Sequence, residues 1–130
     1  MTWAAGTHTI QLNEDSAAFI QDVVKRGLAE QNVHILELAV AMGIRRNERT
    51  PIKAPKKDVS KVGQFDPAGF FTSIIMENYG DLSEGERVRA VAEHAEAGLA
   101  RIQDHLTKNG WAFDEKILFG RGGKQGFAVE

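Results

Sequence analysis

Apolar residues recur along this chain with two different periods. From Thr7 to Leu12 (THTIQL) polar and apolar side chains alternate, the period of a half-buried strand. Ile20, Val23, Val24 and Leu28 then follow helical spacing. Asn13 stands as N-cap before Glu14 and Asp15, whose carboxylates suit a helix N-terminus, and Gly27 offers a left-handed closing residue. These signals predict a strand over 7–12 and a helix over 14–27. A second helix is expected over 33–43, with Asn32 as cap and Gly43 as stop. It is apolar nearly all round (Val33, Ile35, Leu36, Leu38, Ala39, Val40, Met42), the pattern of a helix buried at the centre of its domain.

Pro51 and Pro55 forbid a continuous helix through the next stretch, so 45–63 reads as an exposed loop closed by Gly63. Asp66–Pro67 is a helix start, an N-cap followed by proline at the first helical position, and predicts a helix over 67–79 ended by Gly80. Ser83 and Glu86 form a capping box for the longest helix, over 84–108. Along it Val88, Ala92, Ala95, Leu99, Ile102 and Leu106 recur at steps of four and three, making one apolar seam. Asn109–Gly110 ends it. Trp111, Phe113 and Ile117–Leu118–Phe119 predict a turn and short strand, and the glycine-rich 120–130 a flexible tail. The expected fold is mainly α: a compact four-helix domain over 1–130, with a short N-terminal strand and a short C-terminal strand or turn.

Composition sharpens this picture more than it changes it. A chain of 130 residues, 42% apolar and 26% charged, has room for one modest core. It contains no cysteine, which excludes disulfides, thiolate metal sites and cysteine nucleophiles. The opening MTWAAGTHTI lacks the basic and apolar regions of a signal peptide, and no apolar run approaches the roughly 18 residues of a membrane span. A cytoplasmic protein with no membrane association is expected.

Charge is unevenly distributed. The net charge is −2, yet the seventeen residues from Arg45 to Lys61 hold seven cations against Glu48 and Asp58. That segment carries +5 and the remainder of the chain −7, so the molecule has a positive pole. Its cations are Arg45, Arg46, Arg49, Lys53, Lys56, Lys57 and Lys61. Such a cluster can neutralise phosphates and release their counterions, positioning the protein on a nucleic-acid backbone without selecting sequence. An acidic partner protein or plain solvation would suit the same residues. No aromatic residue interrupts the stretch, so base stacking has no support there.

Catalytic chemistry finds little foothold. His8, His34, His94 and His105 fit no metal-ligand spacing, and His94 and His105 are about 16 Å apart along a helix. Glu84, Glu86, Glu93, Glu96 and Asp104 read as helix starts or solvated faces. Glu93 and Glu96 would be an acid–base pair only under a closed cleft. GRGGKQG lacks the spacing of a phosphate loop, and Ser60 and Thr72–Ser73 have no identifiable base. The sequence predicts no enzyme, no metal and no cofactor.

The strand–helix–helix opening is similar to a ribbon-helix-helix module, in which strands of two protomers pair and Thr7, Thr9 and Gln11 would read bases. Taken whole, the order of features resembles the small E-type subunit of bacterial DNA phosphorothioation (Dnd) systems. That family has a buried helix of the kind N-x-L-x-R-L-A, a proline-containing loop, a phenylalanine-containing helix start and a helix bearing H-L-N-R-G. The counterparts here are Asn32 to Ile44 (NVHILELAVAMGI), the loop through Pro51, Gln64–Phe65–Asp66, and His94 to Gly98 (HAEAG), within residues 8 to 106. The family's Asn-Arg pairs are replaced by Asp66 and Pro67 and by Glu96 and Ala97, so phosphate contacts made by those pairs do not transfer. The resemblance implies a self-associating, DNA-associated accessory protein of modification-linked antiphage defence. The expected partners are DNA, a larger protein subunit or both, and further copies of the chain.

Overall fold

The computed structural model describes residues 8–65 and 70–112. The chain runs β1 (Thr9–Asn13), α1 (Glu14–Lys25), α2 (Asn32–Arg46), β2 (Lys56–Lys61), α3 (Val62–Phe65), α4 (Phe70–Tyr79) and α5 (Glu84–Lys108). The fold is mainly helical, as expected, with a two-stranded antiparallel sheet and five helices among the described residues rather than four. Thr7, the Asp66–Pro67 helix start, the C-terminal strand or turn and the tail lie outside the described residues.

Two helices form the centre. The seam on α5 is buried at all six positions, Val88, Ala92, Ala95, Leu99, Ile102 and Leu106, and it packs most extensively on α2. Ile35, Leu36, Ala39, Val40 and Met42 form the buried side of α2, while Val33 and Leu38 remain half-buried. Apolar side chains from β1 (Ile10, Leu12), α1 (Phe19, Ile20, Val23), α3 (Val62, Phe65) and α4 (Phe71, Ile75) complete the core. Ser83 and Glu86 make the capping box that starts α5.

Gly43 corrects the expected end of α2. The helix continues through it to Arg46 and stops at Asn47, which takes the left-handed conformation at φ 54°. Gly43 is needed for a close approach instead. A Cβ there would collide with the backbone of His94, and a Cβ on Gly98 would collide with the backbone of Ala39. Ala39 and Gly43 on α2 thus face Gly98 and His94 on α5, bringing the two backbones together at the crossing. Gly27 does act at a helix end: at φ 79° it follows α1, with Leu28 N–H donating to Val23 O and its own N–H to Val24 O.

The expected loop over 45–63 is also corrected. It begins as the last turn of α2 and ends as β2 and α3, so only 47–55 is irregular. β2 pairs with β1 in the register Thr9↔Lys61, Ile10↔Ser60, Gln11↔Asp58 and Asn13↔Lys56, with an irregularity between Ile10 and Gln11. That shift leaves Val59 half-buried beside buried Ser60, which hides the strand's alternation in the sequence.

Glu96 locks this sheet to the helical core. It is buried, and its carboxylate accepts from Asn13 N–H (2.7 Å), Asn13 Nδ2 (3.2 Å) and Ser16 Oγ (2.5 Å). A side chain from α5 therefore supplies the anion at the start of α1, where Asn13 makes no capping bond of its own. The expectation of a solvated face for Glu96 was wrong, because its partners come from the far end of the chain.

Two substitutions test this framework. Gly98→Ala should destabilise the protein by about 2–3 kcal/mol, because neither backbone can yield at the crossing. Glu96→Ala should cost about 2–3 kcal/mol, since hydrogen bonds to a charged acceptor are lost and a buried amide is stranded. Urea unfolding measures both, and a change below about 0.5 kcal/mol would contradict the corresponding contact.

Candidate nucleic-acid interface

The backbone of the irregular segment 47–55 is anchored at Asn47, Glu48, Thr50, Lys53 and Pro55. After Asn47 closes α2, Glu48 N–H donates to Gly43 O (2.9 Å) and Thr50 N–H to Glu93 O (3.0 Å). Lys53 N–H donates to Asn13 Oδ1 (2.5 Å), and Glu14 N–H to Pro55 O (3.0 Å). Backbone donors and acceptors that would otherwise face solvent are thus tied to α5, β1 and α1.

His94 reinforces the anchor from within. It is 2% exposed, with Nδ1 2.7 Å from Glu48 O and Nε2 3.0 Å from the Tyr79 hydroxyl. These partners fit a neutral ring that donates from Nδ1 and accepts at Nε2. Burial, helped by the nearby Arg49 charge, lowers the His94 pKa despite the Glu48 carbonyl and the Glu93 charge. Arg49 donates through Nε (2.9 Å) and Nη2 (2.6 Å) to Glu93 Oε1, and its guanidinium lies 5.0 Å from the centre of the Tyr79 ring. Glu93 therefore belongs to an ion pair, not to the solvated face expected for it.

The seven sequence-predicted cations separate into three groups. Arg45 is half-buried and Arg46 exposed in the last turn of α2, where cations also suit the helix dipole. Arg49 is committed to Glu93. Lys53, Lys56, Lys57 and Lys61 are exposed, three of them on β2. Beside them on the ribbon is an exposed hydrogen bond from Gln11 Nε2 to Asp58 Oδ1 (2.8 Å). The β1 strand of the ribbon-helix-helix expectation is thus paired with β2 of its own chain, and Gln11 is engaged there.

Sequence reasoning missed Arg89 and Arg101. Both lie on α5, and Arg89, Glu93, Ala97 and Arg101 form one i±4 row, the ridge along which segment 48–56 runs. That four-residue recurrence was the available signal, but its meaning depends on the tertiary contact. Arg101 grips Glu48 with two bonds, Nε to Oε1 (2.6 Å) and Nη2 to Oε2 (2.5 Å). This pairing lowers the Glu48 pKa, chiefly through the hydrogen bond and further through the Arg101 and Arg46 charges.

Two depressions flank the strip. A groove of about 910 Å³ is lined by Arg46, Glu48, Arg101 and His105 over a floor that includes Ala97 and Ala100. A smaller one of about 200 Å³ brings Thr9, Gln11 and Lys56 against Val88 and Arg89. Among the described residues no group of three or more histidine or acidic side chains is placed to hold a metal ion, and no helix is long and apolar enough to cross a membrane.

The His94 anchor predicts a pH dependence. Its folded pKa is lowered, so the unfolded chain takes up the proton first as pH falls. The stability that this group contributes is complete above its unfolded pKa of about 6.5 and declines below it, by at most about 1.4 kcal/mol per pH unit. Between pH 7.5 and 5.5 the wild-type protein should lose stability more steeply than His94→Gln in urea unfolding. Equal slopes would remove His94 as the cause.

The chain matches no protein-family model, no curated protein and no solved structure, so the likeness to the phosphorothioation-linked subunits carries forward as a proposal.

Proposed function

We propose that this protein is a non-catalytic, DNA-associated accessory subunit of a bacterial DNA-modification or antiphage-defence complex. The observation that supports this reading best is the ribbon: Lys53, Lys56, Lys57 and Lys61 are all exposed on or beside a two-stranded antiparallel sheet anchored to the helical core. A ribbon of this width fits the major groove of B-form DNA. Lysines on it are suited to phosphates, and their contacts carry no base information. Arg46 at the end of α2 and Arg89 on α5 extend the same positive strip. Self-association and membership of a larger complex follow from the family resemblance.

A second reading has its own support. Each strand of a two-stranded sheet has one edge without a sheet partner among the described residues, and a partner's strand can add to such an edge. The same lysines would then face an acidic protein surface, making the molecule an adaptor for a larger ATPase or nuclease. Pull-down from the native host, with and without nuclease treatment, separates the two readings. Capture that survives nuclease favours the adaptor.

Binding to short duplex DNA should be weak, nearly independent of sequence and steeply dependent on salt. Engagement of the four lysines gives a log–log slope of about −3 to −4. The triple charge reversal Lys53→Glu, Lys56→Glu and Lys57→Glu should lower affinity at least about tenfold at low salt while leaving the urea midpoint nearly unchanged. Fluorescence anisotropy provides the measurement, and unaltered affinity would refute the DNA reading.

A further inference from the structure

We propose that Glu48 occupies, within the protein's own fold, a phosphate subsite. A phosphodiester group of bound DNA displaces its carboxylate from Arg101 and seats between Arg101 and Arg46. The inference rests on the DNA-associated reading and deepens it, adding a contact point that the ribbon does not provide.

The geometry of the Glu48–Arg101 pair carries the argument. Two bonds, Nε to Oε1 and Nη2 to Oε2, form the two-pronged fork by which a guanidinium holds either a carboxylate or a phosphate. Arg46 lines the same groove as Glu48 and Arg101, and its charge adds to that of Arg101 in lowering the Glu48 pKa. Arg46 is exposed and makes no ion pair among the described residues. Removing the Glu48 carboxylate would leave two guanidinium groups facing one groove.

Exposure makes the exchange feasible. The Glu48 and Arg101 side chains are 38% and 42% exposed, so water and salt already compete for them. The Arg49–Glu93 pair differs, because Glu93 is only 15% exposed and Arg49 also lies over Tyr79. The backbone of Glu48 is held separately, by Gly43 O and by His94, so its side chain can swing away without releasing the segment.

The surroundings fit a phosphate chain. Ala97 and Ala100 keep part of the groove floor low, which allows a DNA backbone to approach closely. Asp104, the other carboxylate lining the groove, pairs with Lys108 at 3.1 Å, and both side chains are largely exposed. An extended chain sets a limit of about 27 Å between Glu48 and Lys56. That upper bound is about eight base pairs of rise, so the groove and the ribbon lie within the span of one short DNA site.

The two partners of this ion pair should therefore shift DNA affinity in opposite directions. In anisotropy titrations with a short duplex at low salt, Glu48→Gln should bind about 3–10-fold more tightly than wild type, with a salt slope steeper by about one. Arg101→Gln should bind more weakly. Charge removal alone would move affinity in the same two directions, so Asp104→Asn, which removes the groove's other carboxylate, is the control. It should tighten binding less than Glu48→Gln does, and an equal or larger gain, or no change on altering either partner of the pair, would overturn the proposal.

Titrating the wild-type protein with inorganic phosphate while following the Arg101 Nε–Hε NMR signal tests the subsite without DNA. A shift that saturates and is absent in Arg46→Gln supports it, whereas no shift overturns it. If DNA binding is lost on lysine reversal but Glu48→Gln changes nothing, the subsite fails and the function stands. If wild type binds no DNA at low salt, the DNA-associated reading fails and the subsite in its DNA form fails with it. A saturating phosphate shift would then assign the groove to free phosphate.

Discussion

The close crossing of α2 and α5 is the constraint on which the rest of this structure depends. At that point the two helices meet backbone to backbone, with Gly43 against His94 and Gly98 against Ala39. Such an approach leaves no space for a Cβ on either glycine, so it fixes rotation and translation of the helices together. The buried seam on α5 then packs against Ile35, Leu36, Ala39, Val40 and Met42. Everything that later matters at the surface is measured from this crossing. Asn47 and Glu48 leave α2 one turn beyond Gly43, and His94, from the same contact, reaches up to hold the Glu48 carbonyl.

Polar groups finish what apolar packing begins. Glu96 and His94 are two residues apart on α5, both buried, and each reaches a different distant segment. Glu96 ties the β1–α1 junction, and His94 ties the exit from α2. Apolar burial alone would tolerate sliding of these segments, because it is non-directional. A hydrogen bond to a buried acceptor tolerates far less, since slippage strands the acceptor without a partner. The register of the sheet and the course of segment 47–55 follow from these two side chains more than from their own sequences.

This division explains what the sequence reveals. α5 is legible to its last residue because its signals are local: a capping box within four positions and a seam of regular spacing. Gly43 misleads because a glycine at a close helix crossing looks, in sequence, like one that stops a helix. β2 is obscured by KKDVSK, which has no apolar alternation, and by the irregularity that places Val59 and Ser60 on neighbouring inward positions. Glu93 and Glu96 resemble surface charges because their partners lie 44 and 80 or more residues away. The basic segment itself is plain to see in the sequence. Its division into Arg49 paired with Glu93, arginines at the α2 end and lysines on a ribbon is a tertiary fact.

That division changes what the cluster can do. A loop carrying +5 that moved freely would lose conformational entropy whenever a ligand ordered it, and much of its electrostatic attraction would be offset. Here the ordering is completed during folding, through bonds to Gly43, Glu93, Asn13 and Glu14. The cations consequently keep a set spacing, and α5 adds Arg89 and Arg101 along the same strip. Two acidic residues then set what each arginine contributes. Glu93, largely shielded and sharing Arg49 with Tyr79, converts that arginine into part of the scaffold. Glu48, more exposed and opposite Arg101, leaves its arginine open to exchange. The same pairing of glutamate with arginine thus gives a structural tie at one end of the strip and an exchangeable contact at the other, and solvent exposure makes the difference.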